Sequence, residues 1–119
     1  MPPLRRFVVT ACWAAVAVAY VAAILPHDEA PTLGGSDKLD HMAAFFTISL
    51  LGRLGYQGIS TGRILGLAAA FGALIEVSQM VPFIHRDAQF GDWVADVAAS
   101  LLGLLAAWPL LSWWRRRVT

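Results

Sequence analysis

The chain reads as an all-α integral membrane protein, a four-helix bundle with short loops and both termini on the cytoplasmic side. Three observations carry that reading. Of 119 residues, 58% are apolar and only 14% charged, and the mean hydropathy is +0.62, too apolar for a soluble domain of this size. The apolar residues gather in four runs that approach or exceed the length needed, at about 1.5 Å per residue, to cross a hydrocarbon core of roughly 30 Å. The charges are segregated. Asp28, Glu29, Asp37, Asp40, Glu76, Asp87, Asp92 and Asp96, which are all eight acids of the chain, fall on one side of it once it is threaded through a membrane.

The first helix is expected over residues 7–25, a run without charge that follows Arg5 and Arg6 and stops at Pro26. A secretory signal peptide is the competing reading, because the Arg pair has the look of an n-region and Ala22 and Ala23 are small. The run exceeds a typical h-region, however, and cleavage would leave an odd number of spans. The second helix, 39–56, carries Asp40 and His41 at its start and Arg53 near its end. Its fully apolar part is only 42–52, so neighbours must hold it as well as lipid. The third, 64–84, contains Glu76 and Gln79, and the fourth, 93–114, has Asp96 and Ser100 in its first half. Short connections at 57–62 and 85–91 make successive helices antiparallel neighbours. The longest loop, 26–36, holds Pro26, Pro31 and the Gly34-Gly35 pair. The whole of 1–119 is one domain. Cys12, the single cysteine, lies in the first run; it has no partner for a disulfide within the chain and reads as a packing residue.

Orientation follows from the cations. Arg5, Arg6, Arg53, Arg63, Arg115, Arg116 and Arg117 belong to the termini and the middle loop, whereas only Lys38 and Arg86 belong to the other two loops. The positive-inside rule then places both termini in the cytoplasm. Trp113 and Trp114 beside the final Arg triplet read as an interfacial aromatic anchor. The net charge of +1, with arginines in pairs and a triplet and no basic face, excludes a nucleic-acid partner.

Helical spacing groups the polar residues of the other half. Asp37 and His41 are one turn apart with Asp40 beside them, Glu76 and Gln79 are i, i+3, and Asp92, Asp96 and Ser100 step by four along one stripe. Each stripe must face the bundle interior, because insertion scales charge about 2.5 to 3.5 kcal/mol for an Asp at mid-helix against lipid. Rows of small residues, Ala99 and Gly103 on the fourth helix and Gly62, Gly66, Ala69, Ala70 and Ala73 on the third, are expected to support close helix packing.

The segment Glu76-Val77-Ser78-Gln79 followed by Pro82, Arg86, Asp92, Asp96 and Gly103 resembles the E-x-x-Q…P…R…D-x-x-x-N…G signature of the VanZ-like membrane proteins. Asp37-Lys38-Leu39-Asp40-His41, followed by Phe45 and Phe46, resembles that family's D-K-x-x-H-aromatic segment. Two positions depart from the pattern: Asp96 stands where Asn is usual, and Ala99 where Gly is common. The resemblance implies a small multi-span protein of the bacterial inner membrane, acting in cell-envelope physiology. The family's namesake is associated with resistance to the glycopeptide antibiotic teicoplanin. It makes Asp37, Lys38, His41, Glu76, Gln79, Arg86 and Asp92 site candidates by position, and Asp96 joins them by its place on the same stripe.

Four functions compete for this cluster. In the first, Lys38, Arg86 and His41 neutralise the acids and staple loops to helices, although five carboxylates exceed what so few cations require. In the second, Arg86 and Lys38 bind an anionic headgroup that Gln79 and Ser100 hydrogen-bond, with membrane lipids or a lipid-linked envelope precursor as partner. The surplus acid opposes a bare anion pocket unless several carboxylates carry protons. The third is an enzyme in which His41, Glu76 and Asp92 are the catalytic candidates, His41 being oriented by Asp37. No Ser or Cys sits in a nucleophile motif, no ligand spacing singles out Zn²⁺, and no metal or other cofactor is expected. The fourth is a small proton-coupled transporter working as a homodimer through Glu76.

Overall fold

The computed structural model describes residues 3–24, 37–80 and 90–118, which form four helices: α1 (Pro3–Ile24), α2 (Asp37–Gly55), α3 (Thr61–Gln79) and α4 (Phe90–Val118). The all-α expectation holds. Up-and-down connectivity collects the C-termini of α1 and α3 and the N-termini of α2 and α4 at one end, hereafter the polar end; the arginine end lies opposite. The long dimension of 48 Å is close to the roughly 40–45 Å of a bilayer with its headgroup regions.

Three stretches, Pro3–Ile24, Thr61–Gln79 and Gly91–Arg116, are long and apolar enough to cross a membrane. The α2 helix is not among them, since it carries Asp37, Lys38, Asp40 and Arg53. Its position answers that deficit. α2 packs most extensively on α4 and next on α1, with α3 against it as well, so the least apolar helix is the most enclosed. Phe45, Ile48, Ser49 and Leu54 of α2 are buried, whereas Phe7, Trp13, Val18, Leu67, Leu74, Val77, Leu102 and Trp108 of the other helices are exposed. An apolar exterior around a more polar interior is the arrangement that lipid demands.

Helix ends differ from expectation by a few residues. α3 starts at Thr61, three residues before the expected 64, because Ser60 is its N-cap and its hydroxyl accepts from the Arg63 amide at 3.2 Å. α3 stops at Gln79 with Met80 as C-cap, five residues short of the expected 84. Pro82 accounts for the stop, since it lacks an amide hydrogen and disfavours helix in the residue before it. α4 extends in both directions beyond 93–114 and retains Pro109 within it, which withholds the amide hydrogen that would close on the Leu105 carbonyl.

The close-packing expectation holds for one row of small residues and fails for the other. A Cβ at Gly103 would collide with the Phe46 carbonyl oxygen and lie 3.2 Å from the Phe46 Cα, so the backbones of α2 and α4 meet there. On α3, Gly62, Gly66, Ala70 and Ala73 are exposed, and nothing lies within 4 Å of a Cβ at Gly62 or Gly66. The buried stripe of α3 is instead Ile64, Ala68, Gly72, Ile75 and Gln79, a different face of the helix that carries its bulky Ile64 and Ile75 and its polar Gln79 inward. Trp114 also departs from expectation. It is 4% exposed and packs with Val8, Leu54 and Ala107, leaving Trp113 as the exposed member of the pair.

Candidate functional site

Helix register sets the level of each polar residue. Gly103 meets Phe46 in the parallel α2–α4 pair, and two turns below, Leu111 and Leu54 share one apolar cluster. Carried two turns upward, that register puts Asp96 level with Leu39, within two residues, or about 3 Å along the axis, of Asp40 and His41. In the antiparallel α2–α3 pair, Gly52 faces Ile64 and Gly72 faces Phe45, so one further turn brings Glu76 level with His41. Three helices therefore deliver His41, Glu76 and Asp96 to one height.

Their burial differs. Asp96 is 2% exposed, whereas Asp40, His41, Glu76 and Asp92 are partly buried. Asp92 lies in the first turn of α4, where the helix dipole favours an acid. Among the described residues, no three His, Cys, Asp or Glu side chains converge as a metal site requires. The group is a polar crown spread over several helix ends.

Below the crown lies an apolar and aromatic floor. Ala23, Phe45, Ala68, Ile75 and Ala99 form a buried cluster, with Tyr20, Met42 and Phe71 packed against it. The rings of Phe45 and Phe71 are 5.5 Å apart and those of Tyr20 and Phe71 6.3 Å, both tilted pairs within the favourable range. Trp93 reaches across from α4 to donate its indole N–H to the Ala69 carbonyl at 2.9 Å. Gly72 makes that reach possible, since a Cβ there would stand 3.1 Å from the indole Cδ1. Neither Trp93 nor Tyr20 stands out in the sequence as a site residue; a glycine within the buried stripe of an apolar helix is the signal that a large side chain crosses there.

Two candidate ligand contacts are engaged within the protein. Gln79, 5% exposed, donates from Nε2 to the Ala23 carbonyl at 2.9 Å, satisfying one of the carbonyls that a helix C-terminus leaves without a partner. The fully buried Ser100 hydroxyl donates to the Asp96 carbonyl one turn earlier at 2.9 Å. Tyr20 and Ser78 add a hydroxyl pair at 2.8 Å between α1 and α3. Asp37 and Lys38 begin α2 at the same end. Arg86 lies outside the described residues, as do Asp28, Glu29, His85 and Asp87.

Comparison with known proteins gives no match: no family model fits the chain, and no curated protein or solved structure is significantly similar to it.

Proposed function

We propose that this protein spans the cytoplasmic membrane with both termini inside, and that its polar crown binds the headgroup of an envelope lipid or lipid-linked precursor from the outer leaflet. The carrying observation is Asp96, a carboxyl group 2% exposed in an apolar helix, at the height of His41 and Glu76. Ionisable groups at membrane depth mark function by default, because insertion costs each of them free energy that packing alone does not require. The motif likeness to VanZ-like proteins supports the same reading, since its matched residues on α2, α3 and α4 belong to one end of the bundle.

The composition of the crown refines the ligand class. Its acids, Asp40, Glu76, Asp92 and Asp96, accept hydrogen bonds when ionised, so they suit a headgroup rich in hydroxyl and amine donors. Lipid-linked cell-wall precursors carry such groups beside a phosphate, for which Lys38 and Arg86 are the available cations. The bonds Gln79–Ala23 and Tyr20–Ser78 tie α3 to α1 beside the crown. In this reading the ligand contacts are His41, Glu76, Gln79, Asp92 and Asp96, with Asp37, Lys38 and Arg86.

Native mass spectrometry of the purified protein tests this directly. A retained lipid with a glycosylated or amine-bearing headgroup is expected, and it should be lost in Asp96→Asn and Glu76→Gln. Retention of the same lipid by both variants would overturn the assignment of the crown.

A further inference from the structure

We propose that a second lipid site lies at the arginine end: a groove between α4 and the α2–α3 turn that holds an anionic glycerophospholipid, its phosphate at Arg53 and Arg115 and its chain along α4. The groove encloses about 690 Å³. Leu101, Leu105 and Trp108 line its length, and each is substantially exposed, at 45%, 50% and 73%. Thr61, Ser112 and the two arginines line its mouth, and no acid is among the lining residues.

The chemistry at the mouth calls for an anion. Arg53 donates from Nε to the Thr61 hydroxyl at 3.0 Å, which fixes the plane of its guanidinium, while its Nη1 is buried without a hydrogen-bond partner. The Arg53 guanidinium lines the mouth as a permanent cation, and a phosphate oxygen is the acceptor that its fork fits best. Across the mouth, Arg115 is oriented by a bond from Nε to the Gln57 side-chain oxygen at 3.3 Å.

The dimensions suit a lipid better than a free ion. From Leu101 to Arg115 the helix rises about 21 Å, roughly one leaflet including its headgroups. An apolar wall of that height serves no purpose for inorganic phosphate, but it matches an acyl chain. Basic pockets between helices on the cytoplasmic side are where anionic headgroups dock. Assignment to the cytoplasmic leaflet rests on the proposed orientation; the headgroup preference does not, so the two fail separately.

The test uses the full-length protein in detergent, titrated with phosphatidylglycerol and with phosphatidylcholine of identical chains, and read by native mass spectrometry and thermal shift. Phosphatidylglycerol should bind in preference, and Arg53→Gln and Arg115→Gln should each weaken it by roughly fivefold, as loss of one cation near a membrane surface does. Leu105→Trp, which fills the groove and leaves both charges in place, should weaken both lipids. Arg116→Gln, outside the lining, should leave the preference intact. Equal binding of the two lipids, or an unchanged preference in the Arg53→Gln/Arg115→Gln variant, would overturn the proposal. Competition by inorganic phosphate at constant ionic strength as effective as that by the lipid would overturn it too, because the chain would then contribute nothing.

Discussion

At the scale of single residues, glycines separate the parts of the interface that tolerate change from those that do not. Gly103→Ala should cost about 1–3 kcal/mol, because its new methyl meets the backbone of Phe46, which cannot swing aside as a side-chain tip can. Gly66→Ala meets nothing within 4 Å and should be neutral or gain up to about 1 kcal/mol from helix propensity. Thermal unfolding in detergent distinguishes them; equal melting temperatures for the two variants would show that α2 and α4 are not in backbone contact. Tyr20→Phe and Gln79→Leu each remove one side-chain bond between α1 and α3, and each should cost about 0.6 kcal/mol, the average for such bonds in membrane bundles. A loss several times larger would mean that the staple supports more than the α1–α3 joint.

At the scale of elements, four helices are legible in the sequence because four apolar runs leave little else for the backbone to do in lipid. Their ends are less so. The Ser60-Thr61 cap lies in a polar stretch that hydropathy alone assigns to a loop, and Pro82 acts on a helix several residues upstream of itself. The crown is legible because i, i+3 and i, i+4 spacing places Asp96, Glu76 and His41 on stripes that must turn inward. What spacing cannot give is the partner of each stripe. Gln79 and Ser100 are legible as polar positions in one dimension, and only the packing of α3 on α1 and the curl of Ser100 back to Asp96 supply the protein carbonyls they bond. The small row of α3 misleads for the same reason, since a periodicity defines a face and not its neighbour.

At the scale of the molecule, charge segregation predicts the topology that the proposed function requires. In a Cys12→Ala background, cysteine at position 32 should label from outside intact cells and cysteine at position 119 should not. External labelling at 119 would refute the orientation. If the crown is functional, Glu76→Leu/Arg86→Met should insert and stay folded, because an uncharged pair avoids the desolvation penalty of an ion pair. The same variant should lose the headgroup-bearing lipid in native mass spectrometry. Retention of that lipid would remove both residues from the site.

The enclosure of α2 also has a kinetic side. α2 precedes α4 in the chain, yet α4 is the helix it packs on most extensively. While α3 and α4 are still being synthesised, α2, which falls short of a membrane span on its own, has α1 as its completed neighbour, held in part by the bond from Arg5 to the Gly55 carbonyl at 2.8 Å. Insertion of α2 is therefore expected to stay provisional until α4 is made and Gly103 settles on Phe46. A chain ending at residue 89 should leave α2 accessible to protease or reverting to the aqueous side, while α1 remains inserted. On this expectation α4 latches the assembly, and a defect there should be felt first in a helix translated well before it.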